Sequence, residues 1–270
     1  MYCRVVSTRL AAGVVPPFLV LAGHPLRWRV LVELAGSDRQ VRELTRVVGH
    51  PQGLVSYHLA RLRAGGLVSS RKSSFDGRAV YYRVNLDKCA ELLAGTGAAL
   101  HPGLPSSGAP IPARRVGRAR RRPSVLFVCT GNGARSQIAE AILRERASDR
   151  VEVASAGSHP KPVHPNAIKV LAERGIDISG SRSKPITEFS GHHFDYVITL
   201  CDIVREVCPE FPGQGQPMHW STEDPSRASG TVRDTLPRFR ALATELDTRI
   251  GFLVSLIDNK STKENAHHGR

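Results

Sequence analysis

The chain has 270 residues, of which 41% are hydrophobic and 23% are charged. This composition excludes a disordered chain, a collagen, a coiled coil and a disulfide-packed secreted scaffold, and the length favours two compact domains. No run of about 18 uncharged apolar residues occurs, and the first twenty residues carry Arg4 and Arg9 without a clean apolar signal core. We therefore expect a cytoplasmic protein without a membrane segment.

The positive charge of the chain lies in its first part. Residues 1–123 hold 20 Lys and Arg against 6 Asp and Glu, whereas residues 124–270 hold 18 of each. The whole net charge of +14 therefore belongs to the first part. Because clustered Lys and Arg neutralise phosphates, this division predicts that the first part meets a polyanion and that the second has a different task. A basic domain without such a partner is the alternative.

A linker separates the two parts. Residues 95–123 are rich in Gly, Pro, Ala and Ser, then become basic, and show no apolar periodicity. We interpret them as a flexible tether, and their arginines mainly as solvated charge. The predicted domains are residues 17–94 and residues 124–258, followed by a polar tail over 259–270.

The first part opens with helical patterns. A core-facing helix is predicted from apolar residues at helical spacing: Leu26, Val30, Leu31 and Leu34. Two shorter helices are predicted over residues 41–48 and 52–64, with a Gly-His-Pro turn at 49–51 between them. Such a pair forms a helix-turn-helix, whose second helix enters the major groove of DNA. The candidates for contact with base edges lie on its outward face: Gln52, Ser56, Tyr57 and His58.

Two strands follow the second helix, over residues 67–72 and 79–84. Between them, Asp76-Gly77 predicts a tight hairpin turn that requires positive φ. This hairpin carries basic residues suited to contact phosphates: Arg71, Lys72, Arg78 and Arg83. The first part is therefore predicted to be a winged helix-turn-helix domain, mainly α-helical with a β-hairpin wing.

This motif resembles the ArsR family of winged-helix repressors over about residues 17–93. The resemblance rests on GLVSYHLARLRAGGLV at 53–68, DGR at 76–78 and YYR at 81–83. It implies a homodimer that binds operator DNA and releases it when a metal or metalloid binds. The helix over 41–48 has no cysteine where the arsenic sensors of this family place a thiolate pair, so the resemblance leaves the inducer open. Cys3 and Cys89 are candidates for a different thiolate site, with incidental cysteines as the alternative.

The pattern after the linker changes to alternating strands and helices. Continuous apolar runs predict buried strands at 125–128 and 195–200, and a third strand is predicted at 151–155. Helices are predicted over residues 136–147, 165–174 and 232–256. This alternation predicts a three-layer α/β domain with a parallel sheet.

A Cys-x5-Arg motif follows the first of these strands. Cys129 and Arg135 enclose a glycine-containing turn that enters a helix, so backbone N–H groups converge on a tetrahedral oxyanion. Arg135 offers a planar fork for two oxygens, and Ser136 is placed to hydrogen-bond a Cys129 thiolate nucleophile. The predicted oxyanion-binding loop is Thr130, Gly131, Asn132, Gly133 and Ala134, together with Arg135.

Further candidates for catalysis lie downstream. Asp224, followed by Pro225, is suited to protonate a leaving oxygen, with an ordinary turn aspartate as the alternative. Cys201 and Cys208 bracket a short segment after the strand that ends at Leu200. A helix there would hold their Cα atoms about 10 Å apart, whereas a disulfide needs roughly 7 Å or less. A disulfide between them would therefore require this segment to unwind, and two unconnected cysteines are the alternative.

These residues resemble the low-molecular-weight tyrosine phosphatases and, more closely, their thioredoxin-coupled arsenate reductase branch, over about residues 124–256. Supporting stretches are SAG at 155–157, GIDIS at 175–179, SKP at 183–185, TLC at 199–201, CP at 208–209, HW at 219–220 and EDP at 223–225. The resemblance implies that Cys129 attacks arsenate and that Asp224 protonates the departing oxygen. Cys201 would then attack Cys129 to release arsenite, and Cys208 would export a disulfide to thioredoxin.

The same resemblance implies no tightly bound cofactor. Some relatives bind potassium near the loop, at positions that match Asn132, Glu140, Ser155 and Asp177. Ala134 departs from relatives that carry an additional loop cysteine at this position, which the three-cysteine relay does not need. Mycothiol or glutaredoxin would be alternative reductants.

Three hypotheses follow. The first is a cytoplasmic fusion of an ArsR-like regulator and an arsenate reductase in arsenic detoxification. The second is a tyrosine phosphatase, which needs Cys129, Arg135 and Asp224 but neither Cys201 nor Cys208. The third is a repressor whose second domain only senses oxyanion or redox state.

Overall fold

The computed structural model describes residues 14–101, 122–207, 216–227 and 232–267. Cys3, Cys208 and most of the predicted linker lie outside the described residues. The described chain falls into two compact units. The first takes in residues 14–72 and 78–101, and the second takes in residues 73–77 and the described residues from 122 onward.

The described residues of the first unit form five helices around an apolar core. They are α1 (Pro17–Ala22), α2 (Pro25–Gly36), α3 (Val41–Val48), α4 (Gln52–Ala64) and α5 (Leu86–Leu100). The stripe of α2 is buried as predicted, and it packs with the apolar faces of α3 and α4. A capping box of Gln40 and Glu43 starts α3, and Gly49 ends it with φ of 72°, a left-handed conformation that glycine adopts readily. The helix-turn-helix is therefore confirmed.

The wing is an antiparallel sheet of β1 (Arg39–Gln40), β2 (Val68–Lys72) and β3 (Val80–Val84), in the order β1-β3-β2. Lys72 pairs with Val80, so residues 73–79 form the connection. Gly77 is not among the glycines with positive φ. The predicted tight Asp76-Gly77 turn was therefore wrong, because a longer connection spreads the reversal over several residues.

Helix α5 corrects the predicted start of the linker. It continues to Leu100, whereas the sequence pattern predicted a flexible tether from Gly95. The Asn85 side chain accepts a hydrogen bond from the Lys88 N–H and caps the helix, and α5 packs against α1. Tertiary packing thus overrides the low helix propensity of the two glycines in this segment.

The second unit is an α/β domain with a parallel sheet, as predicted. Its strands are β4 (Ser124–Cys129), β5 (Glu152–Gly157), β6 (Tyr196–Thr199) and β7 (Gln216–His219), in the order β5-β4-β6-β7. Its helices are α6 (Arg135–Ala147), α7 (Pro165–Ala172), α8 (Asp202–Val207) and α9 (Val232–His267). The sequence pattern did not predict β7, which is short and contains Pro217.

Helices pack against this sheet, and the carboxyl ends of its central strands are where a site is expected. Every residue of β4 is buried, α6 packs against β4 and β5, and α9 packs against α6 and α7. Helix α9 continues through His267, beyond residue 258 where the sequence predicted a polar tail. The carboxyl ends of β4 and β6 lie side by side, and polar segments follow both, as is typical of ligand sites in parallel sheets.

In the described part of the chain, no helix combines the length and the apolar character needed to cross a membrane.

Candidate active site

The loop after β4 surrounds the Cys129 sulfur with hydrogen-bond donors. The Asn132 N–H lies 3.3 Å from Cys129 Sγ, and Ser136 Oγ lies 3.0 Å from the same atom. Cys129 is buried, and α6 begins six residues later at Arg135. The loop residues from Thr130 to Ala134 therefore form a turn between a strand and a helix N-terminus, where backbone N–H groups and the helix dipole favour a bound anion.

Asn132 holds the shape of this loop. Its φ of 46° is left-handed, which is uncommon for a residue other than glycine. Its Nδ2 donates to Ser136 Oγ at 2.9 Å and to Ser155 Oγ at 2.7 Å. Its Oδ1 accepts from Gln137 Nε2 at 3.1 Å and from the Lys184 backbone N–H at 2.7 Å. The Asn132 side-chain amide thus makes four hydrogen bonds, and these stabilise the strained left-handed conformation of its backbone.

Two glycines allow close approach of the backbone at the loop. A Cβ on Gly157, at the end of β5, would lie 2.8 Å from Asn132 N. A Cβ on Gly133 would lie 2.7 Å from Pro162 O. Both contacts are with backbone atoms, so a side chain at either position would displace the loop.

Arg135 and Asp224 form an ion pair at the same site. Arg135 Nη2 lies 3.0 Å from Asp224 Oδ2, and only 5% of the arginine side chain is exposed. Asp224 Oδ1 accepts from Ser226 N at 3.1 Å and from Ser226 Oγ at 2.6 Å. Burial acts to raise the pKa of Asp224, but the Arg135 charge and the Ser226 hydrogen bonds outweigh it and hold this pKa below its ordinary value.

A cavity of about 310 Å³ opens over these groups. Its charged lining is mainly basic, because Lys161, Arg227 and Arg135 face it together with Asp224. No described residue of the lining is tyrosine, phenylalanine or tryptophan. Such a pocket suits a small oxyanion better than the aromatic ring of a phosphotyrosine.

His164 lines the pocket, although no sequence pattern indicated it as a site residue. Its Nδ1 accepts from the Asn166 N–H at 3.1 Å, and its ring stacks on Phe239 with centroids 4.6 Å apart. Burial lowers the pKa of His164, and the Asp224 charge opposes this effect. The signal in the sequence was His164 before Pro165, a pattern that starts a helix and gave no hint of a pocket.

A second thiol lies beside the loop. Cys201 is buried just after β6, and its Sγ is 3.2 Å from Thr130 Oγ1. Burial raises the pKa of the Cys201 thiol, while Arg135 and the Thr130 hydrogen bond act in the opposite direction. Cys208, which was predicted to act with it, lies outside the described residues. Helix α8 occupies the whole segment between these cysteines.

A buried polar network next to Cys201 was not found from the sequence. Asp202 Oδ1 lies 3.2 Å from His219 Nε2 and accepts from Ser221 Oγ at 2.7 Å. His219 Nδ1 lies 2.8 Å from Thr199 Oγ1. These contacts connect the ends of β6 and β7 to the start of α8 and fix the backbone on either side of Cys201.

The predicted potassium ligands are not all brought together. Glu140 Oε2 accepts from Ser155 Oγ at 2.5 Å, and Ser155 binds Asn132. Asp177 instead lies in an exposed turn, where it accepts from the Ser179 N–H, so its assignment was wrong. The Lys184 ammonium lies 3.1 Å from Glu140 Oε2. Because a cation already contacts this carboxylate, the residues present do not fit a potassium ion.

In the described residues, no cluster of three or more His, Cys, Asp or Glu side chains is arranged to hold a metal ion.

Most of the predicted DNA-contacting residues are exposed. Gln52, Ser56 and Tyr57 are exposed on α4, as are Lys72 and Arg78 on the wing, while Arg71 is half-buried.

His58 was wrongly predicted to face outward. It is buried, and its ring lies 4.4 Å from that of His24. The reason is helical periodicity, because position 58 follows Val55 by three residues and precedes Leu62 by four, and both of these face the core.

Comparisons with known proteins agree with this division of the chain. Residues 124–263 match the model of the family described as low molecular weight phosphotyrosine protein phosphatase. Residues 24–79 match the MarR family. The prediction of a winged-helix regulator domain is therefore confirmed, with MarR as the family whose model matches.

Similar proteins include several arsenate reductases. An arsenate reductase of Halalkalibacterium halodurans is 39% identical over 126 residues, which cover 47% of this chain and 91% of that protein. A glutaredoxin arsenate reductase of Synechocystis sp. is 36% identical over 133 residues, covering 49% and 97% respectively. A solved structure of an arsenate reductase in the phosphate binding state is 35% identical, with a TM-score of 0.45, and the match covers 50% of this chain and 98% of the other.

Proposed function

This chain belongs to the low molecular weight phosphotyrosine protein phosphatase family, and on that basis we propose that its second unit is an arsenate reductase fused to a winged-helix DNA-binding domain. The observation that carries the proposal is the position of Cys201. A phosphatase needs only Cys129, Arg135 and Asp224, whereas a buried second thiol 3.2 Å from the loop hydroxyl of Thr130 is what a reductase requires.

The first step is the attack of the Cys129 thiolate on arsenic. A sulfur–arsenic bond forms, one arsenic–oxygen bond breaks, and the departing oxygen leaves as water. The loop N–H groups and the Arg135 guanidinium hold the remaining oxygens.

Asp224 supplies a proton to the departing oxygen. In the free protein it is a carboxylate paired with Arg135. When an oxyanion binds Arg135, its negative charge offsets the guanidinium and raises the proton affinity of Asp224. The protonated substrate then provides the proton that Asp224 returns to the leaving group.

Reduction follows at the second thiol. The Cys201 thiolate attacks Cys129 Sγ, a disulfide forms, and the electron pair of the sulfur–arsenic bond passes to arsenic, which leaves as arsenite. Cys208 then attacks Cys201 Sγ, frees the Cys129 thiolate and leaves a Cys201–Cys208 disulfide for an external dithiol. We propose thioredoxin as this reductant, with glutaredoxin or mycothiol as alternatives.

The cellular setting follows from this chemistry. A relay of free thiols needs a reducing compartment, which supports a cytoplasmic role in arsenic detoxification.

The first unit is proposed to bind operator DNA as a homodimer. We assign base contacts to the exposed Gln52, Ser56 and Tyr57 of α4, and phosphate contacts to the exposed Lys72 and Arg78 of the wing. Large apolar side chains are exposed on α1, α2 and α5: Leu19, Val20, Trp28, Val32, Leu93 and Leu100. A second copy of the chain would cover such an apolar surface.

Two parallel assays test the enzyme. The full chain with thioredoxin, thioredoxin reductase and NADPH is expected to oxidise NADPH when arsenate is added, and hydrolysis of p-nitrophenyl phosphate is measured beside it. The Cys201→Ser variant is the sharp comparison, because it should lose arsenate reduction and keep the hydrolysis that Cys129 and Arg135 perform. Hydrolysis without any arsenate reduction by the wild type would favour the phosphatase, and neither activity would favour the sensor.

A further inference from the structure

Lys184 places a nearly buried ammonium group behind the oxyanion loop. Its Nζ lies 3.1 Å from Glu140 Oε2, and the exposed fractions of the two side chains are 18% and 8%. The buried Glu140 carboxylate needs a positively charged partner, since an unpaired buried charge costs several kcal/mol.

The carboxylate oxygen that Lys184 contacts also leads to the loop. Glu140 Oε2 accepts from Ser155 Oγ at 2.5 Å, and Ser155 Oγ accepts from Asn132 Nδ2 at 2.7 Å. Asn132 is the left-handed residue of the loop, and its N–H points to Cys129 Sγ. A continuous path of hydrogen bonds thus runs from the ammonium to the donors that surround the nucleophile.

The backbone of Lys184 and the side chain of Ser183 hydrogen-bond to Asn132. The Lys184 N–H donates to Asn132 Oδ1 at 2.7 Å, and Ser183 Oγ donates to Asn132 O at 2.9 Å. The Lys184 carbonyl accepts from the Gly157 N–H at 2.8 Å. The backbone of Lys184 is therefore tied to the loop, and its side chain reaches Glu140 from this fixed segment.

Arg144 provides an internal comparison. Its Nη2 lies 2.6 Å from the other Glu140 oxygen, Oε1, but 61% of its side chain is exposed. Water screens such a pair, so Arg144 does little to neutralise the oxygen that faces Ser155.

We propose that the Lys184 ammonium is a built-in monovalent cation of the oxyanion loop, so that anion binding by this chain does not depend on potassium. Lys184 acts as a positioning residue: it neutralises Glu140, keeps the Ser155–Asn132 contact in place, and shields the bound anion from a nearby negative charge. The proposal rests on the oxyanion-binding role of the loop and does not require arsenate to be the substrate.

The test measures the affinity of the full chain for inorganic phosphate by calorimetry, in tetramethylammonium buffer with and without potassium chloride. The wild type is expected to bind phosphate equally well in both buffers. Lys184→Met is expected to bind about tenfold more weakly without potassium, and potassium should restore part of the loss. Choline chloride at the same ionic strength should restore none, which separates a filled site from general screening.

Two further variants keep the test decisive. Arg144→Met removes a cation from the same carboxylate and is expected to change phosphate affinity less than about twofold. Glu140→Gln combined with Lys184→Met removes both charges and should bind phosphate more tightly than Lys184→Met alone, a result that a simple folding defect would not give.

The proposal is overturned if potassium tightens phosphate binding by the wild type, if Lys184→Met binds phosphate as the wild type does, or if the double variant is no better than the single one. Phosphate binding that depends on Lys184 in a protein without arsenate reduction would refute the proposed reductase and leave the role of Lys184 intact.

Discussion

The two units of this protein place their functional groups in opposite ways. In the winged-helix unit, the candidates for DNA contact lie on the exposed side of α4 and on the wing, over an apolar core. In the α/β unit, Cys129, Arg135 and Cys201 are all buried. A polymer is bound from outside, whereas a small oxyanion must be enclosed by donors with little water present. Substitutions should therefore act through chemistry and loop geometry in the second unit and through surface charge in the first.

The largest effect is expected from Cys129→Ser. A serine hydroxyl at this position is a far weaker nucleophile than a thiolate, so arsenate reduction and p-nitrophenyl phosphate hydrolysis should both fall by about a thousandfold or more. Operator binding, measured by fluorescence anisotropy, should not change. Loss of DNA binding would contradict the separation of the units, and retained turnover would contradict the assigned nucleophile.

The rate of arsenite release should depend on pH through the Cys201 thiol. Burial raises the pKa of Cys201, so at neutral pH only a small fraction of this group is the reactive thiolate. Below this pKa the thiolate fraction grows about tenfold per pH unit, and arsenite release in a single turnover should accelerate accordingly as pH rises. Rapid-quench measurement of arsenite from about pH 6 to pH 8 tests this, with formation of the Cys129 adduct as the reference step. A flat profile would mean that Cys201 attack does not limit the release.

Crowding at the loop should have a moderate effect. In Gly157→Ala the new methyl group would meet Asn132 N at 2.8 Å, so we expect a loss of about 1–3 kcal/mol in the free energy of unfolding and weaker phosphate binding. Gly180→Ala is the matched control, because a Cβ there meets nothing within 4 Å. Denaturant titration and calorimetry compare the two variants. Equal behaviour would show that the loop can shift without cost.

The smallest effect is expected on the DNA side. Lys72→Ala removes one exposed cation from the wing, so the slope of log affinity against log salt should decrease by about one, with sequence preference unchanged. His58→Asn removes a buried ring that packs against His24, and should lower the stability of the first unit while leaving that slope unchanged. The reverse pattern would place His58 at the DNA.

The helices of the first unit show what the apolar periodicity of the sequence can predict and what it cannot. The bounds of α3 and α4 agree with the pattern because apolar spacing, a capping box and a glycine turn act over a few residues. The same pattern failed at α5, where packing against α1 extends a helix through two glycines. At His58 the periodic pattern itself was right, and the error came from the polarity of the side chain, which suggested exposure at a position that faces the core.

The sequence by itself determined the strand–loop–helix unit around Cys129 and Arg135, since its strand, glycine turn and helix follow one another directly. Only the tertiary structure decided which distant groups join it. Asp224 reaches Arg135 from 89 residues away, Cys201 reaches Thr130 from 71, and Lys184 reaches Glu140 from 44. These contacts depend on the order of the strands and the packing of the helices, and local spacing carries no information about either.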